Sequence, residues 1–423
     1  MEDVTATTMP LAAIAPLDPA ILQDPYAYYF RLRNEAPVFR DPHTGIVAVS
    51  SYALVLEVNK KPKTYSSQFA HLLNSGGAGA LDAEEAAIMA QGLPWRDTLL
   101  TADPPAHSRY KRIAMKAFAP TLVDKMTSYI EETVHRLIDG FIANGAVEFK
   151  ARFADVLPSL VIADALGVPR SDVPLFHDWL RAGIARLAGN AGRQERIDSA
   201  RKEIALQHYI IAAIRERRAH RRDDLISDLV HAAINDTDGE RPLDDAELYG
   251  IIQQIFNAGQ ETTAHTLTYA IYQALLHPQQ LAAIKAEPHL VSGLVEESLR
   301  HLTPTNNMWR VVREDTVLGG VALKAGETML LRYGSANRDE TRFADPDTFD
   351  IRRSNAREHL SFGAGIHTCL GAALARKEMT VALPIVLDRL QNLRLADGLN
   401  SFRFSPGPLL RGVMELHLKF DPA

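Results

Sequence analysis

The longest uninterrupted helical pattern in the sequence constrains the fold more than any other feature. It begins at Asp244, whose spacing to Glu247 is typical of a helix capping box, and it meets no strong breaker before Pro278. About 32 residues at roughly 1.5 Å each span about 48 Å, which is enough to cross a whole domain. Helical patterns fill most of residues 103–276, so the sequence predicts a mainly α fold with a minor β portion.

The β portion and the domain organisation follow from the rest of the pattern. Strand-like alternation is confined to short stretches, at 37–39, 46–49, 317–323, 328–331 and 414–420. No linker rich in Gly, Ser or Pro divides the middle of the 423 residues, and 46% of them are hydrophobic. We therefore expect one large domain, 1–423, with residues 1–18 as a loose N-terminus.

The centre of the long helix is polar. Residues 253–263 contain three glutamines, Asn257, Glu261 and two threonines around Gly259. Buried polar groups cost free energy unless they are paired, so this concentration indicates a wet or reactive cavity. The alternative is a helix with one exposed polar face, which accounts for the glutamines but less well for Gly259, a poor helix former.

The single cysteine, Cys369, limits the metal chemistry. A lone Cys forms no intrachain disulfide and cannot supply most of a cysteine-rich metal site, but it can be the one thiolate ligand of a metal that another group already holds. Glycines precede it, and residues 370–378 predict a helix, whose N-terminus favours a thiolate. The alternative is a buried, inert small hydrophobe.

Residues 362–371 fit the pattern Phe-Gly-x-Gly-x-His-x-Cys-x-Gly, and they resemble the haem-binding loop of the cytochrome P450 family. The resemblance covers about Asp24 to Phe420. It implies the cytochrome P450 fold, a helix-rich prism that holds haem b between the long central helix and the Cys-ligand helix, with Cys369 as the iron ligand. The resemblance also places at the haem Phe362, Gly363, Gly371 and Ala258.

Residues 258–262 resemble the oxygen-activation segment of the same family. By that resemblance Glu261 and Thr262 are the acid–alcohol pair, which relays protons from water because oxygen activation consumes them. Gly259 is expected to loosen the helix locally. An intact pair argues against two alternative functions, a peroxide-driven peroxygenase and a haem-binding sensor or carrier without oxygenation.

Haem carries two propionates, and the resemblance supplies cations for them. The residues that match are His107, Lys111, Arg310 and His367. The family usually has Arg where this chain has Lys111, and Lys keeps the charge but loses the bidentate fork.

Glu297 and Arg300 lie three positions apart on a predicted helix. Such a pair could be any surface ion pair. The resemblance instead makes it the buried Glu–Arg pair of the family, completed by Arg353, with a structural role.

The substrate is the least constrained part of the function. By position, the pocket should receive Asn257, Ala258, Thr305, Asn306, Met308, Leu409 and Leu410, with an entrance formed between residues 69 and 100. This lining predicts a small hydrophobic substrate with one hydrogen-bonding end. Pro94-Trp95-Arg96 resembles a segment of P450s that oxidise benzoates, in which the Arg helps to hold the carboxylate. The alternative, which we favour, makes Arg96 a surface residue or a propionate contact, and the competing substrate class is then a neutral terpenoid, steroid or branched lipid.

Partners and location follow partly from composition. A net charge of −6 argues against a general nucleic-acid binder. No signal peptide or membrane span is visible, and together with the single Cys this predicts a cytoplasmic protein. We expect it to be a monomer. The resemblance implies O2 as cosubstrate and NAD(P)H electrons that arrive through a separate [2Fe–2S] ferredoxin and its reductase. A basic helix suited to an acidic partner contains Arg109, Lys111, Arg112 and Lys116.

Overall fold

The computed structural model describes residues 9–70, 72, 82–187, 192–236, 239–405 and 407–422. The helices are α1 (Pro19–Gln23), α2 (Tyr26–Glu35), α3 (Tyr52–Lys60), α4 (Ala83–Met89), α5 (Ala106–Ala114), α6 (Pro120–Lys125), α7 (Thr127–Asp139), α8 (Val156–Leu166), α9 (Val173–Leu187), α10 (Arg193–Ala219), α11 (Leu225–Val230), α12 (Asp245–Leu276), α13 (Pro278–Ala286), α14 (Val291–Leu302), α15 (Tyr333–Ala336) and α16 (Ala372–Arg389). The strands are β1 (Val38–Arg40), β2 (Val47–Val49), β3 (Tyr65–Ser66), β4 (Ala146–Glu148), β5 (Ala233–Asp236), β6 (Gly239–Pro242), β7 (Asn307–Val312), β8 (Thr316–Leu318), β9 (Val321–Leu323), β10 (Thr328–Arg332), β11 (Arg394–Leu395) and β12 (His417–Lys419). The predicted mainly α fold with minor β structure is confirmed.

The chain forms two compact units, each assembled from separate stretches of sequence. Unit 1 contains the residues up to Ser66, then Asp124–Leu157 and the residues from Glu261 onward. Unit 2 contains Ser67–Val123 and Pro158–Gln260. The single domain expected from the sequence stays a prediction.

The main sheet lies in unit 1 and has the strand order β1-β2-β10-β7-β3. β2 and β10 run parallel, with Val47 opposite Met329, and the other neighbours are antiparallel. Val47, Val49 and Leu331 are fully buried in the core on this sheet, because Val and Leu side chains are the most stable out of water. The sheet fixes β7, and with it Arg310, which pairs with Met329 across the ladder.

Two of the predicted strands differ in detail. The alternation in 317–323 is split between β8 and β9, because Gly319 and Gly320 adopt φ values of +53° and +82° and turn the chain back on itself. The pattern in 414–420 yields only β12.

The described part of the N-terminus is packed. Leu11 and Ile14 are buried in a cluster with Tyr28, Tyr29 and Leu32 of α2. Leu11 and Ile14 therefore anchor this segment to the core of unit 1, while residues 1–8 of the predicted loose segment lie outside the described part. No described helix is long and apolar enough to cross a membrane.

The long helix α12 begins with the predicted capping box. The Asp244 N–H donates to Glu247 Oε2 at 2.8 Å, and the Glu247 N–H donates to Asp244 Oδ1 at 2.8 Å. The helix then runs for 32 residues, as predicted. It continues through Gly259, where an added Cβ would meet Ile162 at an ordinary 3.6 Å, so the expected local loosening is not seen.

The capping box predicts a measurable stability contribution. We expect Asp244→Ala to lower the free energy of unfolding by about 1 kcal/mol, because the Glu247 N–H loses its acceptor. Urea unfolding of the holoprotein measures the change. Asp223→Ala, at an exposed position, is the matched control and should stay within about 0.5 kcal/mol of the parent. An equal loss in both variants would contradict the prediction.

Candidate functional site

Main-chain hydrogen bonds close the loop that contains the cysteine. The Cys369 N–H donates to Phe362 O at 2.8 Å, and the Gly363 N–H donates to Leu360 O at 2.8 Å. Gly363 has a φ of +65°, a conformation that side chains rarely adopt. The Cys369 side chain is exposed, so the closed loop presents its thiol outward.

The same loop lies against α3 and leads into α16. A Cβ at Gly365 would collide with the main-chain oxygen of Asn59, so only glycine allows this approach. A Cβ at Gly371 would meet nothing within 4 Å. α16 starts at Ala372, so Cys369 lies just before the helix N-terminus, close to where the sequence placed it.

Asn59 joins the loop to two other parts of unit 1. Its Oδ1 accepts from Arg310 Nη2 at 3.1 Å and from the Tyr333 hydroxyl at 2.9 Å. Its Nδ2 donates to Val55 O at 2.9 Å, within α3. One buried side chain therefore sets the orientation of Arg310 relative to the cysteine loop.

Arg310 is a buried cation without an acidic partner. Its guanidinium donates to Trp309 O at 2.7 Å and to Asn59, and no carboxylate in the described part of the chain pairs with it. A buried charge without a counter-ion is costly, so this position is suited to an anionic ligand. The exposed Cys369 fits the role of ligand to the haem iron, and the Arg310 guanidinium, which has no acidic partner among the described residues, fits one haem propionate. His367, half-buried in the turn Gly365–His367, belongs to the same unit.

A group of polar side chains around Glu296 packs against Phe362 at the start of the cysteine loop. Arg376 donates to Glu296 through Nε at 2.6 Å and through Nη2 at 3.0 Å, and its guanidinium lies 4.6 Å from the centre of the Phe362 ring. His359 Nε2 lies 3.2 Å from Glu296 Oε2, the oxygen that also accepts from Arg376 Nη2, and the ring centres of His359 and Phe362 are 5.6 Å apart. Phe362 is thus held by two residues that share one carboxylate.

The protonation states of this group follow from its hydrogen bonds. His359 Nδ1 accepts from the Ser361 N–H at 3.2 Å, so Nε2 bears the proton and donates to Glu296. Burial lowers the pKa of His359, which stays neutral at neutral pH. Burial alone would raise the pKa of Glu296, but hydrogen bonds from His359 and Arg376 outweigh it and lower that pKa to about 2.

The predicted structural trio is brought together. Arg300 donates to Glu297 through Nε at 2.8 Å and through Nη2 at 2.7 Å, and both side chains are fully buried. Arg353 Nε donates to the same carboxylate at 3.1 Å.

The middle of α12 has an accessible face. Asn257 and Ala258 are exposed and Glu261 is half-buried, whereas Phe256 and Thr263 on either side of this stretch are buried. Spacings of three and four residues place the accessible side chains on one face of the helix. Thr262, the predicted alcohol, is half-buried beside Glu261.

The predicted pocket segments of unit 1 meet each other. The Asn306 N–H donates to Leu409 O at 2.8 Å, and Thr305 forms a β-bridge with Leu410. The half-buried side chains here are Thr305, Met308, Leu409 and Leu410. Asn306 is buried, and its Oδ1 accepts from the Tyr29 hydroxyl at 2.6 Å, so its side chain is engaged with α2.

The remaining predicted site residues lie in unit 2. His107 is buried in the first turn of α5, and Lys111 is half-buried one turn later, on the same face. Arg96 is exposed, which favours its interpretation as a surface residue. Of the predicted entrance, residues 71 and 73–81 lie outside the described part.

Sequence reasoning missed Asn59, Glu296, His359 and His265. Glu296 had a usable signal, because it precedes Glu297 on a predicted helix and two adjacent carboxylates cannot both face the same partner. His265 had one too, because Glu261 lies four residues before it on the same predicted helix. Asn59 and His359 bond Arg310 and Glu296, which are distant in sequence.

Glu296 predicts a specific pH dependence of stability. A fall of its pKa from 4.5 to about 2 on folding corresponds to about 3 kcal/mol at neutral pH. Because the folded-state pKa is the lower one, this stability is fully present above pH 4.5 and is lost as the pH falls through about 2. We expect Glu296→Gln to destabilise at neutral pH and the deficit to shrink below pH 4.5, as measured by urea unfolding.

The exposed Glu131→Gln provides the control for this experiment and should change little at any pH. A deficit for Glu296→Gln that stays constant through the acid range would show that the carboxylate does not carry the effect.

Comparison with known proteins gives a consistent result. A family model described as Cytochrome P450 matches residues 190–396. The Steroid C26-monooxygenase of Mycobacterium tuberculosis is 33% identical over 397 residues, which cover 94% of this chain and 94% of that protein. The Pentalenic acid synthase of Streptomyces avermitilis is 37% identical over 322 residues, 76% of this chain and 77% of that protein. The solved structure of cytochrome P450 CREJ in complex with (4-ethylphenyl) dihydrogen phosphate matches with a TM-score of 0.87 and 30% identity, over 97% of this chain and 100% of that chain.

Proposed function

This chain belongs to the cytochrome P450 family and is a monooxygenase, and we propose that it inserts one atom of O2 into a C–H bond of a neutral hydrophobic substrate. The outcome is a hydroxylation or an O-demethylation. Haem b is the proposed cofactor, and the electrons come from NAD(P)H through a [2Fe–2S] ferredoxin and its reductase. The proposal includes that the protein is a monomer and is located in the cytoplasm.

One observation carries the cofactor assignment. Asn59 contacts Gly365 of the cysteine loop through its main chain and holds Arg310 through its side chain. The thiol that would ligate iron and the cation that would pair with a propionate are therefore fixed by a single residue. His107, Lys111 and His367 are the further proposed propionate contacts, while Phe362, Gly363, Gly371 and Ala258 would contact the macrocycle.

The proposed division of labour among the residues follows from their chemistry. Bound haem supplies the activation of O2, and Cys369 as thiolate supplies electron density to it. Glu261 takes protons from water at the accessible face of α12, and the hydroxyl of Thr262 passes them on. The helix α5 offers the exposed Arg112 and the half-buried Arg109 and Lys111 for docking an acidic ferredoxin, and the exposed Lys116 just after the helix adds to this basic strip.

A neutral substrate is supported by the side chains of the proposed pocket. Its proposed members from β7 and from the C-terminal segment are apolar or uncharged, and the exposed residues Asn257 and Ala258 carry no charge. Arg96 is exposed, so a carboxylate-binding role is not favoured. The Mycobacterium tuberculosis relative is named as a steroid monooxygenase, which is consistent with a neutral ligand.

A spin-state titration of the purified holoenzyme tests the substrate class. We expect a neutral steroid ketone such as progesterone to shift the haem toward high spin, and 4-methoxybenzoate to leave it unchanged, because the proposed pocket residues in the described part of the chain, apart from the exposed Arg96, carry no positive charge. The methyl ester of 4-methoxybenzoate is the size-matched neutral control. A shift with the acid alone that Arg96→Leu abolishes would replace the neutral class with an aromatic acid. A ferrous carbonyl spectrum without the thiolate-type Soret band would overturn the role of Cys369.

The proton relay makes a second prediction. Thr262→Ala should keep haem and NADH oxidation but divert electrons to hydrogen peroxide, lowering product per NADH roughly tenfold or more, because the alcohol of the relay is missing. Thr268→Val is the matched control, since Thr268 lies on the same helix and donates only to Ala264 O. Unchanged product yield in Thr262→Ala would mean that the relay is assigned wrongly.

A further inference from the structure

We propose that His265 is a positioning residue for Glu261, which it orients by donating a hydrogen bond from Nε2 to the carboxylate. This role rests on the proposed function of Glu261 as the acid of the proton relay. It adds a residue that the acid–alcohol pair does not include.

The first observation is the juxtaposition of the two side chains. His265 lies four residues after Glu261 on α12, and its Nε2 is 3.4 Å from Glu261 Oε1. The imidazole is 4% exposed and the carboxylate 26%, so one partner is buried and the other reaches water. At 3.4 Å the contact is longer than a usual hydrogen bond, and a small rotation of the glutamate brings it into range.

The second observation is a backbone clamp on the imidazole. A Cβ at Gly412 would overlap the ring of His265, so the ring occupies the space that any other residue at 412 would need. Gly412 is itself fixed, because its O accepts from the Ser405 N–H at 2.8 Å and its N–H donates to Ser405 Oγ at 3.1 Å. The Gly412 backbone therefore blocks movement of the imidazole on that side, whereas the partly exposed Glu261 can move toward it.

The surroundings of the two ring nitrogens decide between the two tautomers of His265. Neither ring nitrogen has a hydrogen-bond partner among the described residues, and Nδ1 faces the Gly412 backbone. A proton on Nδ1 would be a buried donor without an acceptor, which is unfavourable. A proton on Nε2 points to the carboxylate of Glu261, so the Nε2–H tautomer is favoured over the Nδ1–H tautomer.

The contact with His265 affects which rotamers the Glu261 side chain adopts. A half-exposed glutamate on a helix has several rotamers, and most of them point its carboxylate away from Thr262 into water. A fixed donor one turn away restricts those rotamers and keeps the carboxylate at the helix face. Without it, we expect protons to arrive less often and reduced oxygen to escape as peroxide.

Nitrogen NMR of the holoenzyme tests the contact directly. The protein is labelled with 15N-histidine and studied in the ferrous carbon monoxide form, which is diamagnetic, and the His265 signals are assigned by their loss in His265→Asn. We expect the Nε2–H tautomer to dominate by roughly tenfold and to fall to about threefold or less in Glu261→Leu, which removes the acceptor. Gln254→Leu, on the same helix, should leave the signals unchanged. The same tautomer ratio in Glu261→Leu and in the parent would overturn the proposal and leave His265 as a packing residue.

Oxygen reduction without any organic substrate tests the effect on the relay. NADH drives turnover through a surrogate [2Fe–2S] ferredoxin and its reductase, and the fraction of O2 released as peroxide is measured. We expect His265→Leu to raise the peroxide-to-water ratio about two- to tenfold, and His265→Asn, which keeps an N–H donor, to restore part of the loss. His277→Leu is the control, because His277 lies just after α12 and is bonded to Gln273 O.

The outcomes separate the two proposals. If Thr262→Ala and Glu261→Leu change the ratio and His265→Leu does not, the inference fails while the relay stands. If none of the three changes it, the relay itself is wrong. Should His265→Leu fail to bind haem, Gly412→Ala provides the second test, since its Cβ takes the space of the ring and displaces His265 from its present position while both side chains remain.

Discussion

The buried ion pair between Glu297 and Arg300 is the interaction on which the cysteine loop depends. Removing two charges from water costs several kcal/mol per ion, and the cost is offset only when every donor finds an acceptor. Arg300 meets this condition by donating also to the main-chain oxygens of Asn337, Pro346 and Thr348. Hydrogen bonds from the Arg300 guanidinium therefore fix the irregular main chain at Asn337, Pro346 and Thr348, which precedes the cysteine loop.

A series of hydrogen bonds connects Arg300 to the cysteine loop. Asn337, whose oxygen Arg300 holds, accepts the Leu360 N–H on its Oδ1 at 2.6 Å. Leu360 O then accepts from Gly363, and Phe362 O accepts from Cys369. Each hydrogen bond fixes the start of the next, so the position of the sulfur is set by a charge pair that does not touch it.

Local signals predicted much of this arrangement, and contacts between distant residues account for the rest. The capping box of α12 was predictable because its two partners, Asp244 and Glu247, lie within four residues of each other. The trio around Glu297 came from a family resemblance, which carries long-range information that one sequence lacks. Asn59 bonds Arg310 across 251 positions and Glu296 bonds Arg376 across 80, and no periodicity encodes either pairing.

At 317–323 a local pattern is present, but it predicted one continuous stretch of strand where the structure has a hairpin. A period of two is real there, but two glycines with positive φ interrupt it, and the pattern cannot tell one strand from a hairpin.

The parallel pairing of β2 with β10 has a consequence for biosynthesis. The two strands are separated by about two thirds of the chain, and a ribosome adding roughly 5–20 residues per second needs on the order of 15–60 s to deliver the second after the first. During that interval the buried edge of β2 has no neighbour on one side, and unpaired apolar strand edges are prone to aggregate. The cysteine emerges later still. The nascent chain therefore cannot bind its cofactor early in synthesis. During roughly the first minute, the unpaired edge of β2 is the surface that chaperones would need to cover.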